Sequence, residues 1–213
     1  MLRTLNHPGI PRLYGIHSGI LYEYMIMEYF PGRTLGEYVR RGRRFEVAEI
    51  VAIGVALCGI LDHVHSVHGR NVILTDIQPD NLVWHRNILR LIDLGDYATG
   101  VGNHIGKLRG TPGFVAPEVY EGGDICEATE VFAVGRVLQY LLTGRTVHGG
   151  SICAARHGIR RRGGDDVFGY VRYSSLVRIV TSCTCADIGR RPQCARELME
   201  RLLMVLRAHS PGK

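Results

Sequence analysis

Two short motifs lying close together constrain the fold of this chain more than any other feature. Asp76 and Asn81 stand five positions apart within residues 74–83, and Asp93 follows twelve residues after Asn81, behind a short apolar stretch. Pro79 lies inside the first motif and predicts a loop there instead of a helix. A hairpin between the motifs would bring two carboxylates and an amide together, which are hard oxygen ligands of the kind that Mg²⁺ binds. One carboxylate would remain free to accept a proton.

A third motif follows at a distance that fits the first two. Residues 110–118 read Gly-Thr-Pro-Gly-Phe-Val-Ala-Pro-Glu. In this order and spacing, the three segments resemble the catalytic loop, the metal-binding Asp-x-Gly triplet and the end of the activation segment of Hanks-type (eukaryotic-type) serine/threonine protein kinases, which include bacterial members. The resemblance implies an α+β, protein-kinase-like fold, with a mostly helical C-lobe and a small remnant of the antiparallel N-lobe sheet.

The resemblance also implies a role for each matching residue and two cofactors, ATP and Mg²⁺. Asp76 would orient the substrate hydroxyl and accept its proton, and Thr111 would brace Asp76. Asn81 and Asp93 would hold Mg²⁺ against the phosphates, and Val83 would lie under the adenine ring. A simpler interpretation is that Asp76 and Asn81 only cap turns. The complete set of motifs favours the kinase interpretation.

Residues 24–32 resemble the strand and hinge that join the two lobes of a kinase. On this match Met27 is the gatekeeper, and the backbone of Glu28 and of Phe30 would form hydrogen bonds with adenine. An ordinary strand that ends in a Pro-Gly turn fits the same residues equally well. Only the position ahead of the catalytic loop favours the hinge.

Three further residues match structural positions of the family. Arg191, in the Arg-Pro sequence near the C-terminus, is expected to form a buried bidentate ion pair with Glu118 that braces the activation segment. Glu130 opens a predicted helix over residues 130–143, where the family usually has an aspartate that anchors the catalytic loop.

The chain departs from the family pattern inside the catalytic loop. Gln78 replaces the lysine that follows the catalytic Asp by two positions, so it offers an amide but no cation to the γ-phosphate. Losing a charge-assisted contact of this kind costs roughly 1.5–3 kcal/mol. Thr75 replaces the preceding arginine, which argues against activation by an arginine–phosphothreonine pair. Leu74 and Leu94 replace a histidine and a phenylalanine, and both remain apolar.

Hydrophobic periodicity and turn residues give the expected organisation. We expect residues 1–29 to be a remnant of the N-lobe (the end of helix C with strands at 10–15 and 20–28), 30–208 to be the C-lobe and 209–213 a tail. Apolar residues at helical spacing predict helices at 34–41, 46–68, 175–183 and 194–207, with Gly69 as a C-terminal cap. Residues 146–173 show no clear period.

The sequence lacks the phosphate-clamping parts of a kinase N-lobe. It contains no Gly-rich loop, and its only lysines are Lys107 and Lys213, neither placed to pair with a helix-C glutamate. We therefore expect a kinase with a late or truncated start that is weak or inactive alone. The alternative is a pseudokinase or protein-interaction module without turnover. A small-molecule phosphotransferase is disfavoured by residues 110–118, which shape a peptide-binding surface in protein kinases.

Composition limits the other function classes. The net charge of +6 comes almost wholly from arginine, with clusters at 40–44 and 156–162. Nucleic-acid binding is one interpretation of such clusters, but we favour a solvated face, or a docking surface for acidic substrates, and expect protein substrates with Ser or Thr hydroxyls as partners. The longest apolar stretch, residues 47–61, is too short to cross a bilayer.

The cysteines and histidines do not predict a structural metal site. The six cysteines are scattered and no secretory signal is visible, which favours free thiols and a cytoplasmic location. Cys183, Cys185 and Cys194 lack the paired C-x₂-C spacing of zinc sites. The three histidines at 63, 65 and 68 are better explained by helix packing, with His65 near a histidine that kinases commonly bury.

Overall fold

Helices are the main secondary structure in a computed structural model that describes residues 1–95, 97–99, 110–146 and 167–207. The helices, in chain order, are α1 (Leu35–Arg40), α2 (Val47–His68), α3 (Pro117–Glu121), α4 (Glu127–Thr143), α5 (Val167–Cys183) and α6 (Ala195–Arg207). Single 3₁₀ turns occur at Leu2–Thr4, Pro79–Asn81 and Ile188–Arg190.

Seven short strands form three small antiparallel sheets. They are β1 (Leu13–Ser18), β2 (Glu23–Met27), β3 (Arg33–Thr34), β4 (Val72–Leu74), β5 (Leu82–His85), β6 (Ile88–Leu91) and β7 (Tyr97–Thr99). The strands pair as β1-β2, β3-β5-β6 and β4-β7. Small antiparallel sheets set against a larger helical body confirm the predicted α+β class.

The central helix is α2, which begins and ends where the sequence predicts. Glu46 and Glu49 form a reciprocal capping box at its start, and Gly69, at φ +85°, caps its end. One face of the helix is buried against α4 and α6. Among the described residues α2, with 22 residues, is long and apolar enough to span a membrane, because it continues seven residues past the apolar stretch that ends at Leu61. Half of its apolar window is buried within the fold.

The N-terminal hairpin differs from the predicted strands at both ends. β1 begins at Leu13 instead of residue 10, because Pro11 has no N–H to donate to a strand ladder. β2 begins at Glu23 instead of residue 20, because Gly19 and Tyr22 close the turn through a 2.8 Å backbone hydrogen bond. The apolar side chains of Ile20 and Leu21 therefore lie in the turn and are exposed.

Two helices start earlier than predicted. α4 begins at Glu127, three residues before the predicted start, because Cys126 and Thr129 form a capping box ahead of Glu130. α5 begins at Val167, inside the segment in which no hydrophobic period was recognised, so the apolar residues at 167, 168 and 171 belong to a helix.

The arginines at 156–162, Lys107, Lys213 and the tail at 209–213 lie outside the described residues. The five cysteines that the structure describes are free thiols, as predicted.

Candidate active site

The loop that carries Asp76 runs from the end of β4 to the start of β5. Its last part, Pro79–Asn81, is one 3₁₀ turn. The prediction that Pro79 would keep this stretch non-helical is wrong, because a proline in the first position of a helical turn has no intrahelical N–H bond to make. The turn directs the side chain of Asn81 back toward Asp76.

Three side chains donate hydrogen bonds to the carboxylate of Asp76. Thr111 Oγ1 donates to Oδ1 at 2.8 Å, whereas Asn81 Nδ2 and Gln78 Nε2 donate to Oδ2 at 2.9 and 2.7 Å. Asn81 Nδ2 also donates to the backbone carbonyl of Asp76 at 3.0 Å. Donors on two sides of the carboxylate fix its orientation.

Gly110 allows Thr111 to approach the loop so closely. It has φ +113°, and a Cβ at this position would lie 2.6 Å from the carbonyl oxygen of Thr75. A side chain here would therefore collide with the backbone next to Asp76 and would also be strained. The glycine lets the 110–118 segment pack directly on the loop that carries Asp76.

The second motif is joined to the first through the backbone, not through side chains. Ile92 N–H donates to the carbonyl oxygen of Asn81 at 2.9 Å. Asp93 is exposed, and its Oδ1 accepts a hydrogen bond from Gly95 N–H at 2.9 Å. The structure thus brings together Asp76, Gln78, Asn81 and Thr111, whereas Asp93 lies one residue beyond the contact between the two motifs.

The oxygen atoms left over suit a hard cation. Asn81 donates from its amide nitrogen to Asp76, and its Oδ1 has no hydrogen bond within the part of the chain that the structure describes. Asp93 likewise keeps Oδ2 without a partner there. No group of three or more His, Cys, Asp or Glu side chains in the described ranges could hold a metal. Mg²⁺ needs fewer protein ligands, since it is usually held by one or two carboxylates together with phosphates and water.

The residues matched to the hinge lie at the end of β2 and just after it. Met27 is half-buried, and Glu28 N–H donates to the carbonyl of Arg12 at 2.8 Å. Because its N–H is already bonded, the backbone of Glu28 could bond to adenine only through its carbonyl. The sequence predicts such a bond without saying which backbone group would make it. Phe30 is buried, and the Arg90 guanidinium lies 4.0 Å from the centroid of its ring. Val83 is buried on β5, paired with Thr34 on one side and Arg90 on the other.

Arg191 and Glu118 form a two-pronged ion pair. Arg191 Nη1 and Nη2 donate to the two oxygens of Glu118 at 2.7 and 2.8 Å. The remaining donors of the guanidinium reach the backbone carbonyls of Cys185 at 2.8 Å, Ala128 at 3.2 Å and Ala186 at 3.1 Å. The Arg191 side chain is fully buried. The pair ties α3, at the end of the 110–118 segment, to α4 and to the loop before α6.

Glu130 anchors the strand that leads into the loop of Asp76. Its Oε1 accepts a hydrogen bond from Leu74 N–H at 2.6 Å, and His65 Nε2 lies 2.8 Å from its Oε2. Burial alone would lower the pKa of His65, but the carboxylates of Glu130 and Glu127 outweigh it and raise that pKa. Burial raises the pKa of Glu130. Sequence reasoning placed His65 in the packing of α2 but missed its contact with Glu130.

Sequence reasoning also missed the partner of Asp80. The Arg40 guanidinium donates to both oxygens of Asp80 at 2.9 and 2.7 Å, and Thr34 Oγ1 donates to Oδ1 at 3.2 Å. Arg40 was assigned only to a basic cluster. Its neighbours are paired as well, with Arg41 on Glu37 and Arg43 on Glu49. No local pattern links residues 40 and 80, so only the folded chain shows this pair.

Comparison with known proteins gives a consistent assignment. The protein kinase domain model matches residues 1–203. The serine/threonine-protein kinases PknG of Mycolicibacterium smegmatis and of Mycobacterium leprae are 32% and 31% identical to 97% of this chain, which spans 26% of each. The serine/threonine-protein kinase PrkC of Bacillus subtilis is 29% identical over 67% of the chain, and the match spans 22% of that protein. The chain thus corresponds to about a quarter of the length of these relatives.

Proposed function

The chain belongs to the Hanks-type serine/threonine protein kinase family, and we propose on this basis that it supplies the catalytic lobe for ATP- and Mg²⁺-dependent phosphorylation of protein Ser or Thr hydroxyls. The observation that carries the proposal is the carboxylate of Asp76, held by Thr111, Asn81 and Gln78. A carboxylate that only capped a turn would need one donor from its own loop. The bond from Thr111, 35 residues away, is what a positioned base requires.

The residues of this chain would act mainly by positioning. Asp76 would accept a hydrogen bond from the substrate hydroxyl and then its proton, as the hydroxyl oxygen bonds to the γ-phosphorus and the bond to the ADP oxygen breaks. Bound Mg²⁺-ATP would supply the phosphoryl group and the cation that neutralises it. Asn81 Oδ1 and Asp93 are the protein oxygens that would hold the metal. Thr111 would keep Asp76 from rotating away from the hydroxyl.

The adenine end would be held by the hinge. The carbonyl of Glu28 and the backbone of Phe30 would bond to the base, with Met27 at the back of the cleft and Val83 beneath the ring. The guanidinium of Arg90 packs on the ring of Phe30, which supports a defined hinge geometry.

We further propose that residues 1–29 belong to the N-lobe and residues 30–208 to the C-lobe. We also propose that the free thiols reflect a cytoplasmic location.

One observation favours the second candidate, a binding module without turnover. Gln78 stands where a cation would contact the γ-phosphate, and its amide is instead turned onto Asp76 at 2.7 Å. Electrostatic stabilisation of the transferred group would therefore be weaker, and the expected catalysis is slow. The ordered set of donors around Asp76 still favours an enzyme, because a binding module does not need an oriented base.

Transfer of labelled phosphate to a Ser/Thr-containing protein substrate tests the proposal. We expect slow, Mg²⁺-dependent transfer that Asp76→Asn reduces by about 10²- to 10⁴-fold, the usual contribution of a general base. Asp124→Asn is the matched control, because Asp124 is an exposed aspartate outside the site. Transfer that survives Asp76→Asn would refute the assigned base. Mg²⁺-dependent ATP binding without any transfer would favour the binding module.

A further inference from the structure

A groove opens next to the cluster around Asp76. Gln78 and Thr111, both of which hold the Asp76 carboxylate, also form part of the groove wall. Its volume is about 220 Å³, which is below the range of roughly 300–1,000 Å³ typical of sites for small molecules of nucleotide size. A polypeptide that presents a hydroxyl to Asp76 would have to pass this groove. The groove is therefore suited to one side chain of a substrate peptide.

Among the described residues that line the groove, one is acidic and one is basic, and these two side chains neutralise each other. Arg40 and Asp80 are joined by two hydrogen bonds of 2.9 and 2.7 Å although their side chains are 58% and 48% exposed. The guanidinium lowers the pKa of Asp80, and the carboxylate raises the pKa of Arg40. Both groups therefore stay charged at neutral pH, and neither presents a free charge to the groove.

The other described residues of the wall are uncharged. Phe114 and Tyr140 pack edge to face, with ring centroids 5.9 Å apart, and both are largely buried. Pro79 and Pro112 add further apolar surface. The family position that commonly carries a lysine is occupied by Gln78, so that this side of the groove also lacks a formal charge.

We propose that the groove takes an uncharged side chain of the protein substrate, close in sequence to the phosphorylated residue, and that the Arg40–Asp80 pair sets this specificity. The proposal rests on the proposed kinase function, since it concerns the peptide presented to Asp76. A substrate arginine would have to displace Arg40 from Asp80, and a substrate glutamate would have to displace Asp80 from Arg40. Each exchange forms one ion pair and breaks another, so that a charged side chain gains no net pairing and still loses its hydration.

Peptide binding to variants of this chain tests the proposal without requiring turnover. The probes are fluorescent peptides with one central Ser, in which a single Arg, Gln or Glu is moved through the flanking positions. We expect the wild-type chain to bind the Gln peptide tightest at one or more positions. At the same positions Arg40→Ala should tighten the Arg peptide, and Asp80→Asn should tighten the Glu peptide, each by about two- to fivefold as for an exposed ion pair.

Two controls separate specificity from folding. Arg41→Ala removes a neighbouring arginine that pairs with Glu37 and does not line the groove, and it should leave the peptide ranking unchanged. The double variant with both substitutions should restore the preference for Gln, because no free charge remains. If neither single variant gains affinity for the peptide of complementary charge, the proposal is overturned. A charge switch without any phosphate transfer would instead refute the kinase function and leave the groove assignment intact.

Discussion

At the scale of single residues, Arg191 shows how completely a buried charge must be matched. A guanidinium has five N–H donors, and in Arg191 all five have acceptors, two on the Glu118 carboxylate and three on backbone carbonyls. The Phe132 ring lies 4.9 Å from the guanidinium carbon. Because the Arg191 side chain is wholly buried, removing Glu118 would leave its charge without water and without a counterion, and removing Arg191 would leave the largely buried Glu118 unpaired.

The first prediction concerns this ion pair. Arg191→Ala should lower the free energy of unfolding by about 3–5 kcal/mol, because it leaves Glu118 and three carbonyl groups without their donor. Urea denaturation followed by circular dichroism measures the change. Arg190→Ala is the matched control, since Arg190 is adjacent and exposed. A loss of less than about 1 kcal/mol for Arg191→Ala would mean that the pair does not brace the fold.

Single residues also show what a sequence can and cannot reveal about a site. Asp76, Asn81 and Thr111 could be named because each belongs to a motif with fixed spacing. The Arg40–Asp80 pair could not, since a contact across 40 residues between two exposed side chains leaves no local pattern. For the same reason the backbone carbonyls that accept hydrogen bonds from Arg191 carry no sequence signal.

At the scale of elements, the packing of α2 against its neighbours depends on one of its glycines. A Cβ at Gly54 would lie 2.8 Å from Leu202 Cδ1 on α6 and 3.2 Å from Leu138 Cδ2 on α4. A Cβ at Gly59, on the same helix, would meet nothing within 4 Å. Gly54 therefore permits a close three-helix contact, whereas Gly59 only lowers the helix propensity of α2.

The second prediction follows from this contrast. Gly59→Ala should raise the free energy of unfolding by about 0.5–1 kcal/mol through helix propensity alone. Gly54→Ala gains the same propensity but crowds Leu202 and Leu138, and overpacking typically costs about 1–3 kcal/mol. We therefore expect the two substitutions to change stability in opposite directions, as measured by urea denaturation. If both substitutions raised the free energy of unfolding equally, α2, α4 and α6 could make room for a Cβ at Gly54 without loss of stability.

Elements were predictable where the chain repeats a pattern and less so where a turn interrupts it. The buried stripe of α2 and the glycine after it fixed both ends of that helix within one residue. The strands of the N-terminal hairpin were drawn too early, because Ile20 and Leu21 look like strand residues but lie in the turn. Hydrophobicity alone does not distinguish a strand residue from an apolar turn residue. Here the backbone hydrogen bond between Gly19 and Tyr22 places Ile20 and Leu21 in the turn.

At the scale of the whole molecule, the candidate site is assembled from distant parts of the chain by the helical core. Glu130 on α4 holds Leu74 at the start of the loop that carries Asp76, and Gly110 lets Thr111 reach Asp76. The Ile92–Asn81 bond then fixes the second motif relative to the first. Asn81 Oδ1 and Asp93 Oδ2, one on each motif, have no partner among the described residues and could be bridged by a ligand.

The third prediction is that Mg²⁺-ATP stabilises the whole chain through these oxygens. A ligand that binds only the folded state at a hundred times its Kd adds about 2.7 kcal/mol, and each kcal/mol raises the Tm of a domain of this size by about 2–4 °C. We expect thermal unfolding to shift upward with Mg²⁺-ATP, and the shift to shrink with EDTA or with Asp93→Ala. Asp124→Ala, which removes an exposed carboxylate elsewhere, should keep the full shift. A shift of the same size in Asp93→Ala and in the wild type would mean that Asp93 holds no metal, because a carboxylate ligand to Mg²⁺ cannot be lost without weakening the complex.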